Sequence, residues 1–145
     1  MKGKITLKKR FLALFLVFVL TSISVCSALD IQPYASAQLS RYSASAVSRT
    51  SGKIAVSFVV VGTGMMRELG LDSIVLSENV NGRWIEVDSF DRDDLDKTRT
   101  NSNSYTDSVS FDADSGVEYK IDVTVYATNA SGTDYGEYSC TVTVK

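Results

Sequence analysis

Residues 119–128 read YKIDVTVYAT, an alternation of apolar and polar side chains with a period of two. Tyr119, Ile121 and Val123 fall on one side of such a segment, and the intervening polar residues fall on the other. Successive side chains of a β-strand point to opposite faces, so one face of this segment can be buried while the other meets solvent. The stretch therefore predicts a half-buried strand.

The same period of two recurs through the rest of the chain. Residues 54–61, IAVSFVVV, are mostly apolar on both sides, which is typical of a central strand. Further strands are predicted within residues 36–48, at 74–77, at 85–87, at 109–111 and from Tyr138 to the end. A change of parity within the first of these indicates a β-bulge. The pattern predicts an all-β fold, a single antiparallel sandwich of about seven strands.

The segments between the strands give the turns. Asn81-Gly82 stands between two alternating runs and predicts a hairpin with a type I′ turn, because both central positions of that turn need positive φ. Residues 65–70, MMRELG, are compatible with one helical turn or an irregular crossover. Residues 91–104, DRDDLDKTRTNSNS, hold one aliphatic side chain and are expected to form an exposed loop.

The N-terminus predicts export. A basic segment, residues 1–10, precedes ten uninterrupted apolar residues, 11–20, and a more polar stretch with small residues follows. This order is typical of a secretory signal peptide, and the best cleavage point is after Ala28. The apolar run is too short for a membrane anchor, so no membrane span is expected after cleavage. A lipid anchor at Cys26 is the alternative, because the residues before it resemble a lipobox.

Cleavage divides the chain into a signal peptide (1–28), a short N-terminal segment (29–35) and one β-sandwich domain (36–145). Five of the fifteen Lys and Arg residues precede the cleavage point. Ten basic residues then oppose seventeen acidic ones, which gives a formal charge of −7. An acidic chain without a basic cluster argues against nucleic acid as a partner. The chain has no His, which excludes Ser/His/Asp triads and Cys/His dyads.

Residues 114–129, DSGVEYKIDVTVYATN, resemble the penultimate strand of a fibronectin type III domain. In that family a turn with Gly leads into a Tyr, then alternating aliphatic residues, then Ala and Asn. The resemblance implies an immunoglobulin-like sandwich in which Tyr119 is the tyrosine corner, with its hydroxyl bonded to nearby backbone. The whole chain also resembles small secreted proteins of unknown function from Gram-positive bacteria.

The densest charge feature is a set of carboxylates that includes Asp91, Asp93, Asp94 and Asp96. Oxygen ligands at short spacing are the chemistry of a calcium loop, and Ca²⁺ is the only cofactor that the sequence brings into consideration. However, Leu95 occupies a ligand position, and no Gly or closing Glu completes the pattern. A solvated loop is the plainer interpretation.

Trp84 and Tyr126 are the candidate ligand-binding residues. If Asn81-Gly82 forms a two-residue turn, Leu76 lies opposite Val87, and Ile74, Leu76, Ile85 and Val87 form the buried face. Trp84 then lies on the outer face, where a fibronectin-like topology also places Tyr126. Exposed aromatic rings could stack on a sugar or anchor a protein. The alternative is that Trp84 packs beneath the segment 91–104 or beneath the N-terminal segment.

These observations predict a secreted, non-catalytic binding or structural module whose partner is an unknown extracellular protein or glycan. A carbohydrate-binding or calcium-dependent adhesive domain is the alternative. An enzyme is not expected, because no catalytic motif is present and small sandwiches with short loops rarely build a deep pocket.

Overall fold

A computed structural model describes residues 36–49 and 52–145 of the chain. Six strands and one short helix make up nearly all of this part. They are β1 (Leu39–Arg49), β2 (Lys53–Val80), β3 (Arg83–Asp91), α1 (Arg92–Leu95), β4 (Thr98–Asp112), β5 (Glu118–Asn129) and β6 (Gly132–Thr143). The prediction of an all-β antiparallel fold is confirmed. The predicted signal peptide, its cleavage point after Ala28 and the alternative lipid site at Cys26 lie outside the described residues.

The central element is β2, which runs for 28 residues. It contains two segments that the sequence predicts as separate strands, so the described chain has six strands rather than seven. The expected helical turn or crossover at residues 65–70 is wrong, because this segment continues the strand. Its backbone is held on both edges: Glu68 pairs with Thr100 of β4 and with Thr128 of β5. Pairing partners distant in sequence therefore override the weak local signal.

All strand pairs are antiparallel and belong to one sheet. The first half of β2 pairs with β1 and β4, and its second half pairs with β3 and β5. The last strand, β6, pairs with β5. The register between β2 and β4 shifts between Val61 and Met66. The sheet is curled into a half-barrel, so it has a concave face and a convex face.

Curling brings β1 and β6, the two ends of the strand order β1-β2-β5-β6, close to each other. The backbone N–H of Gln38 donates to the Asp134 carboxylate at 2.7 Å. At the other end, the backbone N–H of Lys145 donates to the Ser48 hydroxyl at 2.9 Å. These side-chain bridges tie the N-terminal and C-terminal strands together where no ladder of backbone hydrogen bonds joins them.

The core lies on the concave face and comes from the alternating apolar positions of the strands. In β5 these are the positions that the sequence predicts, from Tyr119 through Ala127, and each is at most 5% exposed. The largest fully buried aliphatic and aromatic side chains of this core are Leu39, Ile54, Val56, Phe58, Val60, Leu69, Leu71, Ile74, Ile121, Val123 and Val125. The predicted bulge in β1 is confirmed as a register shift between Leu39 and Arg41.

The expectation that residues 91–104 form an exposed loop is wrong. The segment begins with α1 and continues as the first part of β4. Leu95, its one aliphatic side chain, is buried. Asn101 and Asn103 have low strand propensity, but Ser102 between them pairs with Met66 of β2. Strand formation there depends on the neighbouring backbone and not on local side-chain preference.

Candidate functional site

The β2–β3 hairpin turns at the predicted dipeptide. Asn81 and Gly82 have φ values of 53° and 82°, the left-handed conformation that this turn requires. The Asn79 side chain accepts a hydrogen bond from the Gly82 N–H at 2.9 Å and donates to Glu118 at 2.7 Å. Asn79 lies opposite Trp84 in the ladder. The turn and its bond to β5 fix the position of Trp84.

Three large apolar side chains of β3 are exposed: Trp84 at 39%, Ile85 at 47% and Val87 at 47%. We call these three residues the hairpin patch. The expectation that Ile85 and Val87 join the buried face is wrong. Farther along β3, Phe90 packs against the core, and its ring lies 4.6 Å from that of Phe111 of β4. The hairpin end of β3 therefore extends past the core.

A bulge changes the register within this hairpin. The pairing shifts between Leu76 and Ser77, so Leu76 lies opposite Asp88 and Ser77 opposite Glu86. The predicted pairing of Leu76 with Val87 is therefore wrong by one residue. Val87 is the additional residue on β3, which a β-bulge leaves outside the ladder. A bulge near an edge increases local twist and reorients the side chains beside it.

The expectation that Tyr126 lies exposed beside Trp84 is wrong, because Tyr126 is fully buried. Val125 and Ala127 on either side of it belong to the concave core, so Tyr126 points to the convex face. The segment from α1 to the start of β4 covers it there. Arg92 lies over its ring, 3.6 Å from the centroid, and Thr98 makes a hydrogen bond of 2.8 Å with its hydroxyl. Tyr126 is therefore a packing residue, and it forms no common surface with Trp84.

Arg92 joins this covering segment to β2. Its Nε donates to the Asp72 carboxylate at 3.2 Å, and Nη2 donates to the same oxygen. Burial alone would lower the pKa of Arg92, but the hydrogen bonds that it donates to Asp72 and its electrostatic interactions with Tyr126 and Asp72 raise the pKa above its usual value. The guanidinium is thus a permanent cation shared by a carboxylate and an aromatic face.

The carboxylates between Asp91 and Asp96 flank and cap the short helix α1. Asp91 is the N-cap, and its carboxylate accepts from the backbone N–H groups of Asp93 and Asp94. Asp94 in turn accepts from the Asp91 N–H, which completes a capping box. Asp96 ends the helix in the left-handed conformation. In residues 36–49 and 52–145, no three acidic or Cys side chains gather in a way that could hold a metal ion. The calcium hypothesis for Asp91, Asp93, Asp94 and Asp96 stays a prediction.

A second polar cluster lies on the concave side of β4. The Asp107 carboxylate accepts from Lys97 Nζ at 2.9 Å and from the Tyr105 hydroxyl at 2.8 Å. The bond from Lys97, with those from the Ser108 N–H and Tyr105, lowers the pKa of Asp107 to about 2. Burial and the bond to Asp107 raise the pKa of Tyr105 to about 12. Both values lie far from neutral pH, so the pair is suited to structure rather than to proton transfer.

An aromatic cleft of about 290 Å³ lies between β1 and β6. Its walls include Tyr42, Tyr135 and Glu137, and Tyr135 is 56% exposed. The Tyr42 ring lies against Gly136 so closely that a Cβ there would be 2.6 Å from the ring. Sequence reasoning missed this cleft. Nothing local marks Tyr42 or Tyr135, because they meet only when the sheet curls.

No protein-family model matches the chain, and no curated protein matches it. In the part of the chain that the structure describes, no helix has the length and apolar character needed to cross a bilayer.

Proposed function

We propose that this chain is an exported, non-catalytic binding module built on an immunoglobulin-like sandwich, and that it binds an extracellular partner through the hairpin patch. The observation that carries the proposal is the exposure of Trp84, Ile85 and Val87 on a strand whose hairpin end the core does not cover. Trp84 and Ile85 lie on opposite faces of β3, so the patch flanks both sides of the strand, and exposed aromatic and aliphatic side chains are typical anchors of protein interfaces.

Two features support the immunoglobulin-like arrangement. The strand order is compatible with two facing layers. The first half of β2 would lie with β1 and β4 in a layer of three strands, and its second half would lie with β3, β5 and β6 in a layer of four. The Tyr119 hydroxyl accepts a hydrogen bond of 3.2 Å from the backbone N–H of Asp114, five residues upstream. This is the bond expected of a tyrosine corner at the start of the penultimate strand.

Export is the part of the proposal that rests on sequence alone. The basic start, the apolar run and the small residues before Ala28 support cleavage there. Expression of the full chain in a Gram-positive host, followed by mass measurement of the protein in the medium, tests it. A mass that begins at Leu29 supports secretion. Protein retained in the membrane fraction with a lipid on Cys26 supports the lipid-anchored alternative.

A carbohydrate-binding module is the second candidate, and the aromatic cleft favours it. Tyr42 and Tyr135 offer ring faces, and Glu137 offers an acceptor for sugar hydroxyl groups. The hairpin patch remains the better-supported surface, because its three apolar side chains have no role in the core.

The experiment uses residues 29–145, which contain every residue of the described core. Purified extracellular proteins and wall glycans are immobilised, and binding is compared among the wild type, Trp84→Ala and Met65→Ala. Met65 is the matched control, because it is 70% exposed and lies outside the hairpin. Loss of binding to a protein with Trp84→Ala alone supports the proposal. Loss with Tyr135→Ala and not with Trp84→Ala, on a glycan, overturns it in favour of the carbohydrate-binding module.

A further inference from the structure

We propose that the outer edge of β3 binds an extended segment of a partner protein as an added β-strand, and that this segment alternates basic and apolar residues. The inference rests on the proposed function, and it names the partner class for the hairpin patch. Within the described residues, β3 pairs with β2 alone. One edge of β3 therefore presents backbone N–H and C=O groups that a further strand can pair with.

A comparison of the free edges favours β3 over β4. Within the described part of the chain, β4 also pairs with β2 alone, so both strands have an unpaired edge, whereas the outer edges of β1 and β6 approach each other. The exposed side chains of β4 are mostly Ser, Thr and Asn, which offer little apolar area to a partner. In contrast, β3 carries Trp84, Ile85 and Val87 beside its free edge. Strand addition gains specificity from the side chains on either side of the backbone ladder, so β3 is the better template.

The two faces of β3 carry different side chains, and this difference determines which residues should alternate along the added strand. Trp84 and Glu86 are two residues apart and therefore lie on the same face, opposite Asn79 and Ser77 of β2. Glu86 has no hydrogen bond or ion pair within the described residues. A Lys or Arg on an added strand can pair with the Glu86 carboxylate and contact the Trp84 ring.

The opposite face of β3 carries Arg83 and Ile85 at the hairpin end. Ile85 lies there, opposite Glu78, and half of its surface is free. A Val or Ile on the alternate positions of the added strand would cover Ile85. The complementary strand therefore carries cations at every second position and aliphatic side chains between them.

The charges of β3 argue against a second copy of this chain as the occupant. The antiparallel register that pairs all nine residues of β3 with themselves is centred on Val87. It sets Glu86 opposite Asp88 at two points, and like charges directly opposite each other destabilise a strand pair. It also sets Arg83 opposite Asp91 at its two ends, but the Asp91 carboxylate is already engaged as the cap of α1. The carboxylates and the bulge are the devices by which edge strands avoid self-association. They leave β3 open to a strand of opposite charge.

The test uses residues 29–145 and the synthetic peptide KVKVKVK, with the emission of Trp84, the chain's only Trp, as the signal. Backbone amide exchange by NMR locates the contact. Saturable change in Trp84 emission and at least about tenfold slower exchange of outward-facing β3 amides are expected. Glu86→Lys should weaken binding of this peptide about fivefold, and the acidic peptide EVEVEVE should then bind better than it does to the wild type.

Backbone pairing is separated from side-chain docking by a peptide of the same sequence with an N-methyl group on every backbone amide. If strand addition is correct, this peptide binds at least about tenfold more weakly, because it lacks donors for the β3 edge. Three results would each overturn the inference. The methylated peptide could bind as well as the unmethylated one, or the peptide could protect the amides of β4 instead of β3. The third is protection of β3 that grows with protein concentration when no peptide is present. If Trp84→Ala abolishes binding to an immobilised protein while KVKVKVK fails to protect β3, strand addition fails and the proposed function stands. If Trp84→Ala changes no binding, the proposed function itself fails.

Discussion

The guanidinium of Arg92 lies 3.6 Å from the centroid of the Tyr126 ring and is held there by Asp72. This contact decides which aromatic residues of the convex face are available to a ligand. It removes Tyr126 from the surface and leaves Trp84 and Tyr135, on different strands, as the exposed rings. A cation over a ring with a carboxylate behind it also attaches α1 to the sheet, since α1 is too short to be stable alone.

The buried hydroxyl of Tyr126 gives the first prediction. Tyr126→Phe removes its bond to the Thr98 hydroxyl and should lower the free energy of unfolding by about 1 kcal/mol. Tyr42→Phe is the matched control, because the Tyr42 hydroxyl has no partner within the described residues and the variant should lie within about 0.5 kcal/mol of the wild type. Urea denaturation followed by circular dichroism measures both. A Tyr126→Phe variant as stable as the control would contradict the burial of this hydroxyl.

Gly70 gives the second prediction, because the carbonyl oxygen of Lys97 occupies the place of its missing side chain. A Cβ at Gly70 would lie 2.0 Å from that oxygen, which also accepts a hydrogen bond from the Leu71 N–H. Gly70→Ala should therefore push the covering segment away from the sheet and cost about 3 kcal/mol in the free energy of unfolding. Gly64→Ala is the control, since a Cβ at Gly64 meets no atom within 4 Å. Urea denaturation that finds equal stability for the two variants would contradict this packing.

The parts of the fold that could be predicted from sequence are those with a local cause. The period of two in residues 119–128 gives the buried side of β5, because each side chain's face depends only on its neighbours. Asn81-Gly82 gives the hairpin turn for the same reason, since the turn's φ values restrict which residues fit. Tyr119 is predicted to be a tyrosine corner because residues 114–129 around it resemble a strand of the fibronectin type III family.

The parts that could not be predicted depend on contacts between distant segments. Residues 65–70 become strand because β4 and β5 hold both of their edges. Ile85 alternates like a core residue, but no element of the described part of the chain buries it. The pattern of one strand cannot reveal whether a facing layer exists. Tyr126 is buried, contrary to the expectation, because the segment from α1 to the start of β4 covers it, whereas Trp84 is exposed. The local sequence pattern thus predicts where the strands lie. Which side chains are exposed depends on how the sheet curls and on which segments cover it.

The third prediction tests the exposure of the hairpin patch. Ile85→Ala should lower the free energy of unfolding by no more than about 0.5 kcal/mol, because Ile85 is 47% exposed at the end of β3. Ile74→Ala on the adjacent strand should cost about 3 kcal/mol, because Ile74 is fully buried in the concave core. The two substitutions remove the same atoms, so their difference in urea denaturation reports burial alone. Similar losses at both positions would place Ile85 in the core.

The last prediction concerns acid stability and the bond between Asp107 and Lys97. The pKa of Asp107 is lowered from 3.8 to about 2 in the folded protein, so the unfolded chain binds more protons between these two pH values. The stabilisation is therefore complete above about pH 4 and is lost as the pH falls through about 2. Because the Asp107 side chain is 36% exposed, solvent screening reduces the effect to about 1 kcal/mol.

Asp107→Asn should remove this dependence, so the wild type should lose about 1 kcal/mol more than the variant between pH 5 and pH 2. Asp112→Asn on the same strand controls for the change in net charge, since the Asp112 side chain is 87% exposed. Urea denaturation at four pH values across this range gives the three curves. If the Asp107→Asn curve runs parallel to that of the wild type, Lys97 and Tyr105 do not hold the Asp107 carboxylate in its ionised form.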